Sequence, residues 1–220
     1  SMIKNIIFDF DGVLVDSEML VARSFSKYLG KRNINFTEQE FSDYAGKKTV
    51  QVIDELSKKF SIQNKEEFFE DIMSIANDIY SQELTAVNGA KVFLEQNYYN
   101  FLIGSNSVRK RILFGLEKVE FENFFDFNKV FSFDMVEKPK PQPDIYLAAI
   151  NAHQLDKKET VVIEDSAVGV LAGVKAGVKV IGLTAGGHWY KDRSTKELLD
   201  AGAFKLADSY ESLLKEIKKI

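Results

Sequence analysis

Five short apolar runs along the chain predict buried strands. They lie at residues 5–8, 101–104, 130–131, 161–163 and 178–183. Short continuous apolar runs are typical of strands that are covered on both faces of a parallel sheet. Helical patterns separate the later runs, at residues 107–118, 143–152 and 166–176. This alternation of strand and helix predicts an α/β protein with a doubly wound parallel sheet.

Residues 16–85 interrupt this alternation. The segment is long, has almost no strand pattern and carries apolar residues such as Val50 and Ile53 at helical spacing. Because this segment departs from the sheet directly after the first strand, it would stand over the carboxyl end of that strand, where such sheets bind ligands. We therefore predict a core of residues 1–15 and 86–220 with an inserted α-helical cap domain at 16–85.

Composition and charge narrow the classes of partner. The net charge of −4 and the pI near 5.4 argue against a nucleic-acid partner, which a basic surface normally binds. The chain has no cysteine, which excludes thiolate metal sites and cysteine nucleophiles. No stretch approaches the roughly 18 to 20 apolar residues of a membrane span, and the N-terminus shows no signal-peptide pattern. We expect a cytoplasmic monomer whose partner is a small molecule, without nucleic acid or membrane.

Carboxylates follow two of the predicted strands. Asp9 and Asp11 end the first strand, and Glu164 and Asp165 end the run at 161–163. If these strands are neighbours, three or four carboxylates converge at one edge of the sheet. Such a cluster repels itself unless a cation neutralises it, and ligands made only of oxygen suit Mg²⁺ rather than Zn²⁺. The pattern predicts a magnesium site.

Two further segments supply groups suited to a phosphate. Ser105 and Asn106 stand between a strand and a helix, where a hydroxyl and free backbone N–H groups can bind a phosphate oxygen. The same residues would also explain a helix N-cap, and the two roles are compatible. All three prolines lie at 139–143, in a stiffened loop that carries Lys138 and Lys140. Phosphoryl transfer needs a metal, a fixed cation and hydrogen-bond donors around the transferring group.

These residues fall into four motifs in a fixed order. The motifs are Asp9-Phe10-Asp11-Gly12-Val13, Ser105, Lys140-Pro141-Gln142-Pro143-Asp144 and Glu164-Asp165-Ser166. Over nearly its whole length the chain resembles the haloacid dehalogenase superfamily, in the branch with a helical C1 cap that includes β-phosphoglucomutase and many sugar-phosphate phosphatases. The resemblance implies a Rossmann-like core and a Mg²⁺-dependent phosphatase that acts on a small phosphorylated metabolite.

The resemblance assigns the chemistry to the first and fourth motifs. It implies that Asp9 attacks phosphorus to form a phosphoaspartate, while Asp11 protonates the leaving oxygen and then activates water. Mg²⁺ would be held by the Asp9 carboxylate, the backbone carbonyl of Asp11 and Asp165. Glu164 would lie in or near the metal's coordination shell.

The resemblance assigns phosphate binding to the second and third motifs. Ser105, Asn106 and Lys140 would hold the phosphate. Lys138 begins a partial second match to the third motif. We choose Lys140 because only that register is followed by Pro143-Asp144.

The cap is expected to select the substrate. Gly46, Lys47 and Lys48 resemble the substrate-specificity loop of such caps, and Arg23 lies on the first cap helix, where relatives often carry arginine. Two lysines would suit an anionic substrate such as a sugar-acid phosphate, but exposed loop charges explain them equally well. Short sequence matches, which include residues 16–18, give the chain some similarity to phosphatases of 6-phosphogluconate.

Three other functions share part of this pattern. A phosphosugar mutase of the β-phosphoglucomutase type is the main alternative, but such mutases carry a cap histidine where this chain has Val21, which favours hydrolysis. Dehalogenases have no need of Asp11 or Mg²⁺, and phosphoryl-accepting switch modules lack a large cap. The two histidines, His153 and His188, lie elsewhere, and only His188 is a candidate for the rim of the site.

Overall fold

The core of the protein is one parallel sheet. The computed structural model describes residues 2–220, so residue 1 of the predicted core segment lies outside it. The strands of the described chain are β1 (Asn5–Phe8), β2 (Asn100–Gly104), β3 (Val130–Phe131), β4 (Thr160–Glu164), β5 (Lys179–Leu183) and β6 (Lys205–Ala207). They pair in parallel in the order β3-β2-β1-β4-β5-β6. The predicted doubly wound α/β fold is confirmed.

Helices cover both faces of the sheet. On one face lie α4 (Ala90–Gln96), α5 (Arg109–Lys118) and α9 (Tyr210–Lys218), and on the other lie α6 (Asp144–Ala152), α7 (Ala167–Lys175) and α8 (Lys196–Asp200). The remaining helices, α1 (Glu18–Gly30), α2 (Thr49–Phe60) and α3 (Lys65–Glu83), belong to the inserted segment. Side chains alternate between the faces of a strand. Ile6 and Phe8 of β1 therefore pack in one hydrophobic cluster, and Ile7 packs in another. No helix of residues 2–220 has the length and apolar character needed to cross a bilayer.

Helices α1, α2 and α3 have a hydrophobic cluster of their own. It includes Phe25, Leu56 and Phe68, all of them fully buried. The segment leaves and rejoins the core at one place, because Asp16 donates its backbone N–H to the Thr85 carbonyl at 2.8 Å. This pairing sets the three helices above the carboxyl end of β1. The domain bounds at 16 and 85 stay a prediction.

The sheet topology brings the acidic segments together. Phe8 of β1 pairs in register with Ile163 of β4, and the Asp9 N–H continues the ladder to the Ile163 carbonyl at 2.9 Å. Strand order reverses between β1 and β4, and ligands of open α/β sheets bind in the crevice at such a switch point. Asp9 and Glu164 are thus brought side by side at that crevice.

Candidate active site

A cavity of about 290 Å³ opens at this crevice, between the sheet and the cap. Nine of the residues predicted from sequence line it: Asp9, Asp11, Gly46, Lys47, Ser105, Asn106, Lys140, Glu164 and Asp165. Small-molecule sites usually span roughly 300 to 1,000 Å³. The cavity therefore suits a small metabolite.

Lys140 is fixed at the centre of the site. Its ammonium donates to Asp9 Oδ1 at 2.9 Å, to Glu164 Oε2 at 2.6 Å and to the Gly104 carbonyl at 2.7 Å. Burial alone would lower the pKa of Lys140, but the charges of Asp9 and Glu164 outweigh burial and raise it. The side chain is thus a charged, immobile cation, whereas Lys138 is exposed at the surface.

Asn106 and Ser105 order the loops around this lysine. The Asn106 amide accepts from the Lys140 backbone N–H at 2.8 Å and donates to the Lys140 carbonyl at 3.3 Å. The Ser105 hydroxyl accepts from the Ser107 N–H at 3.0 Å, as in the local turns that precede helices. Asn106 therefore positions Lys140 as well as bordering the cavity. Phosphate binding by Asn106 and Ser105 stays a prediction.

Three carboxylates meet beside Lys140. Asp9, Glu164 and Asp165 each offer one oxygen, and these atoms lie within 4.8 Å of one another. Burial and the charge of Asp9 raise the pKa of Glu164 well above its usual range, and the same two causes raise the pKa of Asp165. Glu164 Oε1 is buried and has no hydrogen-bond partner among the described residues. A hard divalent cation would satisfy this oxygen and relieve the repulsion, so the donor set fits Mg²⁺.

Asp11 stands apart from this cluster. Its carboxylate accepts from the Ser17 hydroxyl at 2.7 Å and the Ser107 hydroxyl at 2.5 Å, and pairs with Arg111 Nη2 at 3.0 Å. Burial would raise the pKa of Asp11, but the Arg111 charge and these hydrogen bonds lower it. The carboxyl group is thus held ready as a carboxylate. A contribution of its backbone carbonyl to Mg²⁺ binding stays a prediction.

Sequence reasoning missed residues that support the acids. Tyr146 donates its hydroxyl hydrogen bond to Glu164 Oε2. The guanidinium of Arg111 lies 3.8 Å from the ring centroid of Tyr80, which comes from α3. No local pattern marks these positions, because only the packing of α3, α5 and α6 on the sheet brings them to the site.

His188 lies deeper than the rim position considered for it. It is 8% exposed, and its Nε2 lies 2.9 Å from Asp165 Oδ2. Burial lowers the pKa of His188, so the ring is neutral at pH 7 and its Nε2–H can donate to the carboxylate. His188 thus orients one of the predicted metal ligands.

The cap residues divide into two groups. Gly46 and Lys47 line the cavity, whereas Arg23 and Lys48 do not. Arg23 pairs with Glu38 at 3.1 Å and with Glu83 at 2.7 Å, within the cap. A role in specificity stays a prediction for all four residues, and the structure gives Arg23 and Lys48 no contact with the cavity.

Comparison with known proteins identifies the family. A family model for haloacid dehalogenase-like hydrolases matches residues 6–183, which include every motif of the site. The chain belongs to the haloacid dehalogenase-like hydrolase family. The resemblance inferred from the four motifs is confirmed.

Two curated relatives of this hydrolase are named as phosphatases. One is the 6-phosphogluconate phosphatase of Escherichia coli strain K12, 26% identical over 191 residues that cover 86% of each chain. Another is a phosphorylated carbohydrates phosphatase of Thermotoga maritima, 29% identical over 220 residues, covering 96% of this chain and 98% of the relative. The assignment as a phosphatase-type enzyme is confirmed.

A solved structure agrees on the fold. A hydrolase of the same family from Deinococcus radiodurans, with bound phosphate and sodium, is 27% identical with a TM-score of 0.83. The match covers 98% of this chain and 96% of that one. Nearly all of the described chain, cap included, therefore follows the architecture of this hydrolase.

Proposed function

We propose that this hydrolase is a Mg²⁺-dependent phosphatase of a small phosphorylated metabolite, a sugar or sugar-acid phosphate. Asp9 carries the proposal, because its carboxylate opens onto the cavity while Lys140 holds one of its oxygens at 2.9 Å. The E. coli and T. maritima relatives, named for phosphorylated sugars and sugar acids, support this substrate class. The expected cytoplasmic location, monomeric state and lack of nucleic-acid or membrane partners remain parts of the proposal.

The first half-reaction transfers the phosphoryl group to the protein. The Asp9 carboxylate attacks phosphorus, the bond from phosphorus to the ester oxygen breaks, and the Asp11 carboxyl group donates a proton to that oxygen. Asp11 pairs with Arg111 in this structure and is held there as a carboxylate, so the step requires that substrate draw Asp11 away from Arg111 and that Asp11 first take up a proton from solvent. Lys140 stays beside the nucleophile and neutralises charge on the phosphoryl oxygens.

The second half-reaction returns the enzyme to its starting state. The Asp11 carboxylate takes a proton from water as the water oxygen attacks phosphorus. The bond between Asp9 and phosphorus then breaks, and inorganic phosphate leaves. The contacts of Asp11 with Ser17 and Ser107 hold the carboxylate in the form that this step needs. One residue thus serves both steps, as acid and then as base.

Mg²⁺ would be held by the carboxylates of Asp9 and Asp165 and the backbone carbonyl of Asp11, with Glu164 in or near its coordination shell. When bound, the ion supplies positive charge that neutralises the acids and the phosphate together. The contacts of Glu164 with Lys140 and Tyr146 keep this buried acid in place, and His188 does the same for Asp165.

Removing the metal should stop turnover. We expect EDTA to abolish phosphate release from a panel of phosphorylated metabolites and added Mg²⁺ to restore it, because three buried carboxylates need a cation. Mg²⁺ should also raise the midpoint of thermal unfolding of the wild-type protein, and Asp165→Asn should reduce that increase. Activity that survives exhaustive chelation would contradict the metal's part in the proposal.

A second experiment separates the phosphatase from the mutase alternative. Val21 borders a small pocket beside Gly46, and its apolar side chain cannot take the place of the mutase's cap histidine. We expect β-glucose 1-phosphate with catalytic glucose bisphosphate to yield inorganic phosphate, because water reaches the phosphoaspartate. Efficient formation of glucose 6-phosphate with little free phosphate would establish the mutase instead.

A further inference from the structure

We propose that Arg193, together with Lys47, binds a carboxylate at the end of the substrate remote from its phosphate. The inference rests on the proposed phosphatase function and narrows its substrate to phosphorylated sugar acids. Arg193 comes from the core loop between β5 and α8, not from the cap, and it lines the same cavity as Asp9.

The guanidinium of Arg193 is held in one orientation. It stacks 3.8 Å from the ring centroid of Trp189, Nη2 pairs with Glu197 Oε1 at 3.1 Å, and Nη1 donates to the His188 carbonyl at 3.3 Å. Its side chain is only 11% exposed. A planar fork fixed in this way is preorganised for a planar anion, since little rotamer freedom remains to be lost on binding.

The fork has donors left for a ligand. A guanidinium carries five N–H groups, and the contacts with Glu197 and His188 use two of them. The remaining N–H groups have no hydrogen-bond partner among residues 2–220. Hydrogen bonds from a guanidinium to a charged acceptor are stronger than those to a neutral one, so these donors favour an anion. A carboxylate can accept two parallel N–H groups from one arginine, which meets this need.

The cap contributes a second cation to the same cavity. Gly46 adopts a φ of +87°, and a Cβ there would lie 2.7 Å from Arg193 Nη2, so the loop backbone packs directly against the guanidinium. Lys47 follows it and lines the same cavity, with its Nζ 2.9 Å from Glu55 Oε1. Two cations from different parts of the chain thus flank the junction of core and cap.

The positions of the cations in the cavity indicate where each end of the substrate binds. Lys140 is already engaged by Asp9 and Glu164, in the place proposed for the phosphate. The other cations that line the cavity are Lys47 and Arg193. Each of them pairs with one carboxylate of the protein, Glu55 or Glu197, and neither is engaged by the acids around Asp9. A phosphorylated sugar acid presents a second anionic group that these two cations can bind, whereas a substrate with a single anionic group does not.

The test compares two esters that differ at one end only. 6-Phosphogluconate carries a carboxylate where sorbitol 6-phosphate carries a hydroxymethyl group. Initial rates of phosphate release give kcat and KM for wild type, Arg193→Ala, Arg193→Gln, Arg193→Lys and Lys47→Ala. Lys59→Ala in the cap and Lys191→Ala in the core loop are matched controls, because each removes one exposed charge without touching the cavity.

We expect Arg193→Ala and Arg193→Gln to raise KM for 6-phosphogluconate by about 10- to 100-fold, the usual worth of a charged hydrogen bond. KM for sorbitol 6-phosphate should change by less than about threefold, within the range of a minor surface change. Arg193→Lys should recover part of the loss, since it keeps the charge. The two control variants should behave as wild type.

Equal loss on both esters would overturn the inference, because Arg193 would then only hold the cap loop. No change on either ester would overturn it as well. The proposed function is tested separately, since wild type that releases phosphate from no ester would refute the phosphatase. Calorimetric titration of 6-phosphogluconate into Asp9→Asn and into Asp9→Asn/Arg193→Ala decides the inference even then, and equal affinities would contradict it.

Discussion

Asp9→Asn is expected to lower kcat on the order of 10⁴-fold or more, as loss of a nucleophile does in other hydrolases. An amide has nearly the shape of the carboxylate but is a far poorer nucleophile and metal ligand. Lys140 keeps its contacts with Glu164 and the Gly104 carbonyl, so the fold should remain. Phosphate release at saturating substrate measures the loss, and circular dichroism shows whether the variant is folded.

Asp126→Asn is the matched control for this variant. The Asp126 side chain is 78% exposed and lies away from the cavity, so the same chemical change should leave kcat at the wild-type value. Near-wild-type turnover of a folded Asp9→Asn protein would refute the nucleophile and, with it, the covalent mechanism.

Lys140→Ala and Lys138→Ala should differ sharply. We expect Lys140→Ala to lose activity by about 10²- to 10³-fold or more, because a fixed ammonium stabilises the phosphoryl oxygens from one position only. Lys138→Ala should stay within about twofold of wild type, as exposed surface changes usually do. The buried position of Lys140 and the exposed position of Lys138 give the physical reason for the asymmetry.

Lys140→Ala should also destabilise the protein. It leaves Glu164 without its ion pair in a fully buried site, which costs about 3 kcal/mol in comparable cases. Activity is therefore measured well below the midpoint of thermal unfolding of the variant. Loss of activity in Lys138→Ala with a functional Lys140→Ala would move the third motif by two residues and require another loop conformation.

Strands and motif residues could be predicted from sequence because their signals are local. Buried parallel strands are short apolar runs, and the run at 130–131 has the same bounds as β3 in the structure. β6 (Lys205–Ala207) went unrecognised, because it is short and only partly buried at this edge of the sheet. Asp9 and Glu164 come together because β1 pairs with β4. The sequence alone does not establish that these two strands are neighbours, so it predicts the cluster only on the assumption that they are.

Contacts that depend on packing could not be predicted. Nothing in the chain near Asp11 indicates that Arg111 will reach it, because α5 must first dock on the sheet. Arg193 is a similar case, since its place beside Gly46 depends on how the core loop meets the cap. By contrast, Lys47 and Lys48 have the same local pattern, and only the fold directs one of them to the cavity.

The covalent intermediate on Asp9 is the central claim, and trapping it tests that claim most directly. Wild-type protein is mixed with substrate and Mg²⁺, quenched in acid within one turnover, reduced with borohydride and digested for peptide mass spectrometry. We predict that the first motif peptide carries homoserine at position 9, the product of a reduced phosphoaspartate, and that Asp9→Asn yields none. Phosphoryl transfer to Asp11 or Ser105, or rapid phosphate release with no modified residue, would contradict the account.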